Sequence, residues 1–229
     1  MGKARLTGIA ISAVLLLTSI DVNGQCRYCN TYKDFLEDRW QPLDTVYCKS
    51  HSKSHQLWWG GNDYTLTTGD KNTDNLLKKD AFVVMQGDSI YINCRNLRYE
   101  KTHFGNGYTK ARRIGKRSLL FVNRLIGTEV MNEQVSMGVM FGAIGGMITV
   151  SKQNKQQVCY VISKGGDSKG LINIRLIDDD LMKQMIDQHH DLYKEYFEEE
   201  DEMKRMLAEH IIPILEKSGL FEQAKPKTE

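Results

Sequence analysis

The sequence has no excess of charge of either sign, and it lacks the short motifs by which many enzyme classes are recognised. Its 31 lysines and arginines nearly balance 29 aspartates and glutamates, so net charge predicts neither a nucleic acid nor a membrane as the partner. The G-x-S-x-G elbow, the H-E-x-x-H helix and the common nucleotide-binding glycine loops are all absent from the chain. We therefore expect no cofactor and no nucleic-acid partner, and any catalytic site would have to be assembled from distant residues.

The first 24 residues have the three-part form of a secretory signal peptide. Two basic residues precede an apolar run over residues 9–20, and small residues then lead up to Gly24. The apolar run is too short to span a bilayer comfortably. We therefore expect an exported chain that starts at Gln25, in the periplasm, the outer envelope or outside the cell. A lipid anchor on Cys26 is the less favoured alternative, because no lipobox precedes it.

All five cysteines follow this predicted leader, in a compartment that permits disulfides. Four residues have the C-x2-C and C-x2-H spacing of a zinc site, namely Cys26, Cys29, Cys48 and His51. In an exported protein, zinc binding competes with oxidation of the thiols to disulfides. One alternative is a disulfide that uses Cys48. The other is that these cysteines lie at the surface without a bond to each other. Cys94 and Cys159 lie in predicted strands, where we expect buried thiols that act as small apolar side chains.

Positive charge is concentrated in the middle of the chain. Residues 95–124 hold nine lysines and arginines, whereas residues 178–202 hold eleven acids. The densest part has five basic residues within eight positions, namely Lys110, Arg112, Arg113, Lys116 and Arg117. We expect these five side chains to be solvent-exposed, and they suit an anionic envelope component such as lipid head groups or polysaccharide. Pairing between the basic and acidic segments, or two solvated surfaces, is the simpler interpretation.

Residues 134–151 form a stretch of eighteen residues without a charge. Gly138, Gly142 and Gly146 recur at every fourth position, so in a helix they would line one side and permit close approach of another helix. The remaining positions are largely apolar and require cover by protein or lipid. Burial inside the fold is one interpretation. Membrane insertion or homo-oligomerisation through the glycine side is the other.

Apolar periodicity predicts an α+β fold, with a strand-rich body of antiparallel hairpins and C-terminal amphipathic helices. Alternating patterns predict hairpins over residues 81–94 and 157–176, and a strand over residues 119–123. The apolar period becomes helical after residue 180. The predicted segments are a signal peptide (1–24), an N-terminal segment with Cys, His and Trp (25–80), a strand-rich body (81–177), C-terminal helices (178–219) and a tail (220–229).

Local signals add detail to the helices. A capping sequence at Thr31 predicts a short helix through residue 39, and two leucines at 76 and 77 predict a one-turn helix. Three aspartates at 178–180 are expected to cap the first C-terminal helix rather than to bind a cation. His189 lies on the apolar stripe of that helix, which favours a hydrogen-bonded core histidine over a catalytic base. Pro213 is expected to kink the last helix.

Four segments share a recognisable apolar and glycine pattern, namely residues 81–96, F-G-N-G-Y at 104–108, F-G-A-I-G-G at 141–146 and V-C-Y-V-I at 158–162. In these segments the chain resembles a family of uncharacterised secreted proteins of Bacteroides-type bacteria, over roughly residues 80–200. The resemblance implies an exported, envelope-associated protein with no assigned activity or site residues. The cysteine-rich stretch before residue 60 lies outside it.

These observations predict an exported component of the bacterial envelope with a binding or structural role and no enzymatic activity. The first alternative is a membrane-inserting or oligomerising protein that uses Gly138, Gly142 and Gly146. The second is an envelope hydrolase whose site combines a histidine, an acid and a nucleophile from distant segments.

Export gives the first testable prediction. Sequencing of the N-terminus of the protein recovered from cells should read from Gln25, because the small residues place the cleavage site after Gly24. Intact-mass measurement should show an unmodified Cys26. An acylated Cys26, or stable precursor as the main form, would contradict the prediction.

Overall fold

The computed structural model describes residues 26–52, 62–127, 157–165 and 172–221. The strands in these ranges are β1 (Cys26–Cys29), β2 (Gln41–Leu43), β3 (Tyr47–Ser50), β4 (Tyr64–Thr67), β5 (Val83–Gln86), β6 (Ser89–Asn93), β7 (Arg98–Tyr99), β8 (Thr102–His103), β9 (Tyr108–Ile114), β10 (Ser118–Arg124), β11 (Gln157–Lys164) and β12 (Ile172–Leu176). The helices are α1 (Tyr32–Leu36), α2 (Lys71–Lys79), α3 (Asp179–Ile186), α4 (His190–Phe197), α5 (Glu202–Arg205) and α6 (Ala208–Lys217).

Ten of the described strands form one antiparallel sheet. Its main path runs in the order β12-β11-β10-β9-β6-β5-β1-β2, and β3 joins it through β4, which pairs with β9 at Tyr64 and Tyr108. Strands β7 and β8 form a separate small hairpin. The predicted α+β class is therefore confirmed. Strands from the N-terminal segment pair directly with those of the predicted body, since β1 lies beside β5.

The sheet is apolar on both faces because successive residues of a strand point to opposite sides. On one face, Phe104, Phe121 and Tyr160 pack with ring centroids 4.9 to 5.5 Å apart. The opposite face carries two separate clusters. The first lies under α2 and includes Leu77 and Tyr91, and the second lies under the C-terminal helices. Strand β9 runs between the two clusters.

Several local predictions are confirmed. Thr31 caps α1, since its hydroxyl accepts a hydrogen bond from the Asp34 amide at 3.0 Å, although α1 ends at Leu36 rather than at the expected residue 39. Asp178 caps α3 and accepts from the Leu181 amide at 2.8 Å. The hairpins β5–β6 and β11–β12 form where alternation predicted them. Cys94 and Cys159 are fully buried.

Other expectations are corrected. Helix α2 has nine residues instead of one turn. Only two leucines mark its apolar side, but Asp70 caps its start and so places the first turn well before them. The expected continuous helix after residue 180 breaks between α3 and α4, and His189 lies exposed at that break rather than in the core. Pro213 lies inside α6, which continues past it to Lys217, and the kink expected there stays a prediction. Strand β9 is not predicted by alternation, because Lys110, Arg112 and Arg113 interrupt its apolar pattern.

The C-terminal helices are joined by one largely buried ion pair. Arg205 donates to both carboxylate oxygens of Asp179, at 3.0 and 2.5 Å, and Tyr196 donates to the same carboxylate at 2.9 Å. Arg205 also donates to the Glu199 and Glu200 carbonyls at 2.9 Å. The hydrogen bond from Arg205 is the main cause of a lowered Asp179 pKa. Helices α3, α4 and α5 are thereby fixed to one another.

Strand β4 lies close to the turn before β9 because Gly107 has no side chain. The backbone of Gly107 has φ +94°, and a Cβ there would lie 2.9 Å from the Tyr64 carbonyl oxygen. Gly105, two residues earlier, also has φ +94°, yet a Cβ there would meet only the Asn62 amide at an ordinary 3.9 Å. The two glycines therefore share a backbone conformation and differ in the available space.

We expect Arg205→Met to lower the free energy of unfolding by about 3 kcal/mol, because it leaves the Asp179 carboxylate without its buried partner. The neighbouring Lys204, exposed in its pair with Glu199 at 3.7 Å, supplies the control, and Lys204→Met should cost less than about 1 kcal/mol. Urea unfolding measures both variants. Equal losses would show that the Arg205 pair contributes no more than a surface contact.

The same pair predicts a pH dependence. A carboxyl group whose folded pKa is lowered stabilises the protein fully above its unfolded pKa of about 3.9, and that contribution is lost as pH falls through the folded value. Unfolding free energy should therefore fall more steeply below about pH 4 in the natural protein than in Asp179→Asn. If the unfolding free energies of the two proteins fell in parallel with pH, the Asp179 carboxylate would not be the source of this pH dependence.

For the glycines, we expect Gly107→Ala to destabilise the protein by about 1 to 3 kcal/mol more than Gly105→Ala. Both substitutions impose the same positive φ on alanine, but only Gly107→Ala forces β4 away from the turn. Urea unfolding at a single pH gives the difference. Equal losses would indicate that the strand shifts freely at this point.

Candidate functional site

A pocket of about 320 Å³ opens where α2 meets β4 and the turn before β9. Its walls come from three separate parts of the chain, which the sheet brings together. The lining residues are Thr65, Leu66, Thr67, Asp74, Lys78, Asn93, Arg95, Asn106, Gly107 and Tyr108. A volume near 300 Å³ is at the lower end of the range for small-molecule sites.

The end of α2 forms one wall, and two side chains from the sheet hold it in place. The last carbonyls of a helix lack partners within the helix. The Asn93 amide donates to the Leu77 and Ala81 carbonyls at 3.0 and 2.9 Å, and the Tyr108 hydroxyl donates to Leu77 at 2.5 Å. Burial raises the pKa of Tyr108, so its hydroxyl stays a donor. The wall is therefore built before any ligand arrives.

Asp74 supplies a fixed negative charge. Its carboxylate accepts hydrogen bonds from the Thr67 hydroxyl at 2.6 Å, from the Thr68 amide at 2.6 Å and from the Thr68 hydroxyl at 3.0 Å. These bonds, that of Thr67 first, lower the pKa of Asp74. The carboxylate remains ionised and oriented toward β4.

Lys78 and Arg95 supply two positive charges. Lys78 follows Asp74 by one helical turn, the spacing at which ion pairs commonly form. Within the described ranges, neither cation lies within 4.0 Å of a carboxylate oxygen. Among the residues that the structure describes, the Arg95 guanidinium donates only to the Asn106 side-chain oxygen, at 3.4 Å. The pocket therefore has two basic groups and one acidic group.

A second pocket, of about 390 Å³, lies on the other side of the β4–α2 connection. It contains Asp44 and Asp70 but no basic side chain. Asp70 is occupied as the cap of α2, where it accepts from the Thr73 amide at 2.8 Å. Neither of these two pockets is lined by a histidine or a cysteine of the described residues.

The four candidate zinc ligands are not brought together in the described structure. Cys26 packs in the cluster under α2, whereas Cys29 lies on the opposite face of β1 and donates to the Arg39 carbonyl at 3.5 Å. Burial raises the pKa of the Cys29 thiol to about 12. Cys48 is exposed on β3, and no disulfide joins it to another described cysteine. His51 contacts the Thr65 hydroxyl at 2.8 Å. No cluster of three metal-binding side chains occurs among the described residues.

The five basic residues do not form one exposed surface. Arg113 is only 25% exposed, stacks on Phe35 at 4.4 Å and pairs with Asp38 at 3.8 Å. Arg112 lies on the opposite face of β9, 3.6 Å from the Phe221 ring centre and 2.5 Å from Glu216. The expected exposure of all five is therefore wrong for Arg113.

The other three basic residues are exposed. Lys110, on β9, lies 5.9 Å above the ring of Tyr64 on β4. Lys116 and Arg117 occupy the β9–β10 turn. None of the described ion pairs joins the basic segment to residues 178–202. Its described partners are Asp38 and Glu216 instead.

Gly138, Gly142 and Gly146 lie outside the described residues, as does the predicted leader over residues 1–24. Among the described helices, none has the length and apolar content needed to cross a bilayer.

Sequence reasoning missed the pocket residues Lys78, Asn93, Arg95 and Asn106. One signal was present: two glycines flank Asn106 in F-G-N-G-Y, a pattern typical of a tight turn that lets another segment approach. Asn93 and Arg95 belong to another of the segments on which the resemblance rests. Two of those segments therefore meet at the pocket.

Comparison with known proteins shows a family but no function. A model for a family of unknown function, DUF6563, matches residues 27–222. No curated protein and no solved structure matches the chain. The expected resemblance over residues 80–200 is thus too short. Apart from Cys26, the cysteine-rich stretch before residue 60 lies inside the match, which corrects that expectation. With nearly all of its described residues inside the match, the chain belongs to the DUF6563 family.

Proposed function

We propose that this protein is an exported binding component of the bacterial envelope and that it holds a small ligand in the pocket between α2, β4 and β9. The pocket carries the proposal, because its walls are fixed by hydrogen bonds within the protein. Export is supported by the signal-like sequence of residues 1–24. The resemblance to secreted proteins of Bacteroides-type bacteria supports an envelope location.

The rigidity of the pocket favours binding over a purely structural role. Asn93 and Tyr108 fix the end of α2, and the Thr67 and Thr68 bonds fix the Asp74 carboxylate. A ligand entering such a site meets groups that are already oriented, which reduces the ordering cost of binding. A surface with only a structural role has no need for oriented polar groups around an open cavity.

The pocket favours binding over hydrolysis as well. A hydrolase would need a nucleophile and a base within hydrogen-bond reach. The acid in this pocket is already bonded to threonines, and the neighbouring lining groups are amides, cations and hydroxyls. None of the described histidines lines this pocket; His210, for example, contacts the Tyr196 carbonyl at 2.9 Å on the C-terminal helices.

The experiment is a screen of small polar fragments by two-dimensional NMR of the mature, isotope-labelled protein. We expect fragments that shift amide signals around the pocket, and Thr65→Trp should remove these shifts by filling the cavity from an exposed strand position. Asn173→Trp, at an exposed position of β12 far from the pocket, is the matched control and should retain them. Absence of pocket shifts, or shifts that Thr65→Trp leaves unchanged, would refute the proposed function.

A further inference from the structure

We infer that the pocket selects a small organic anion that also carries hydroxyl groups, such as an acidic monosaccharide. This inference rests on the proposed function, because it names the chemical class of the ligand held in the same pocket. The arrangement of Lys78, Arg95 and Asp74 carries it.

The two cations require an anionic group. Lys78 and Arg95 line the same cavity, and neither is neutralised by a carboxylate of the described residues. Arg95 uses one guanidinium nitrogen on Asn106, which leaves most of its five N–H donors for a ligand. A planar carboxylate matches the fork of a guanidinium, and Lys78 supplies a second positive charge.

The wall that carries Asp74 favours a ligand with a hydroxyl group that can donate a hydrogen bond. Asp74 receives three hydrogen bonds from Thr67 and Thr68, and the Gly69 amide also helps to lower its pKa. Two of the three bonds go to Oδ1 and one to Oδ2, so Oδ2 is the oxygen to which a ligand hydroxyl would donate. A purely anionic ligand would be repelled at this point, whereas a hydroxyl group donates to it. One ligand therefore needs a negative end and a hydroxylated end.

The volume of the pocket and its other lining side chains limit the class of ligand further. A cavity of about 320 Å³ suits a single ring rather than an oligomer. The Asn106 side-chain nitrogen makes no hydrogen bond to the described residues, and it offers two donors at the rim. Leu66 is only 5% exposed and adds a small apolar part to the lining. A hexuronic acid has the carboxylate, the ring and the hydroxyl groups that these features match.

The test is calorimetric titration of the mature protein with four probes. D-glucuronate should bind at least tenfold more tightly than D-glucose, which lacks the carboxylate, and than acetate, which lacks the hydroxyl groups. Inorganic phosphate is the fourth probe and should also bind at least tenfold more weakly than D-glucuronate. Raising the salt concentration should weaken the binding of D-glucuronate.

Variants then connect binding to the pocket. Arg95→Gln and Lys78→Gln should each weaken D-glucuronate binding by tenfold or more. Lys79→Gln, the adjacent exposed position of α2 outside the lining, should change it less than twofold. The two-dimensional NMR spectrum of each variant reports whether the fold is retained.

The outcomes separate this inference from the proposed function. Glucose or phosphate binding as tightly as glucuronate, or glucuronate binding unaffected by Arg95→Gln and Lys78→Gln, overturns the ligand class. If other fragments still shift the pocket amides in that case, the pocket remains a binding site. If no fragment and no probe shifts them, both proposals fail.

Discussion

The amide of Asn93 is the contact on which this part of the molecule depends. Strand β6 ends at Asn93, and from there one side chain bonds to the carbonyls that close α2. Burying the Ala81 carbonyl without a partner would cost about 1 to 3 kcal/mol, and the Leu77 carbonyl would keep only the Tyr108 hydroxyl as a donor. Because Asn93 also pairs with Tyr108 in the sheet, the same residue fixes the helix, the start of β9 and the pocket between them.

Sequence reasoning recovered the elements whose signals are local. Hairpin β5–β6 follows from alternation around a glycine turn, and α3 follows from the aspartates at its start. Strand β9 was missed, because its charged residues are accommodated by contacts from remote parts of the chain. Arg113 stacks on Phe35 of α1, and Arg112 stacks on Phe221 beyond α6. A local sequence pattern cannot show that the aliphatic part of an arginine side chain packs against an aromatic ring from a distant part of the chain.

The pocket could not be read from the sequence for a related reason. Asp74 and Lys78 lie one helical turn apart, a spacing that predicts an ion pair between them, and Arg95 has no recognisable spacing to either. The structure directs the Asp74 carboxylate to Thr67 and Thr68 instead, which releases Lys78. To predict that Asp74 bonds to the threonines instead of Lys78, one must know the position of β4. Gly107 sets that position through a close backbone contact.

The short strand β2 has a consequence for self-association. It terminates the main path of the sheet, has three residues and contains Pro42, whose nitrogen carries no hydrogen. A strand from a second molecule that approached this edge would find an incomplete ladder of donors. A protein with a broad antiparallel sheet is exposed to edge-to-edge aggregation, and Pro42 protects one end of the sheet against it.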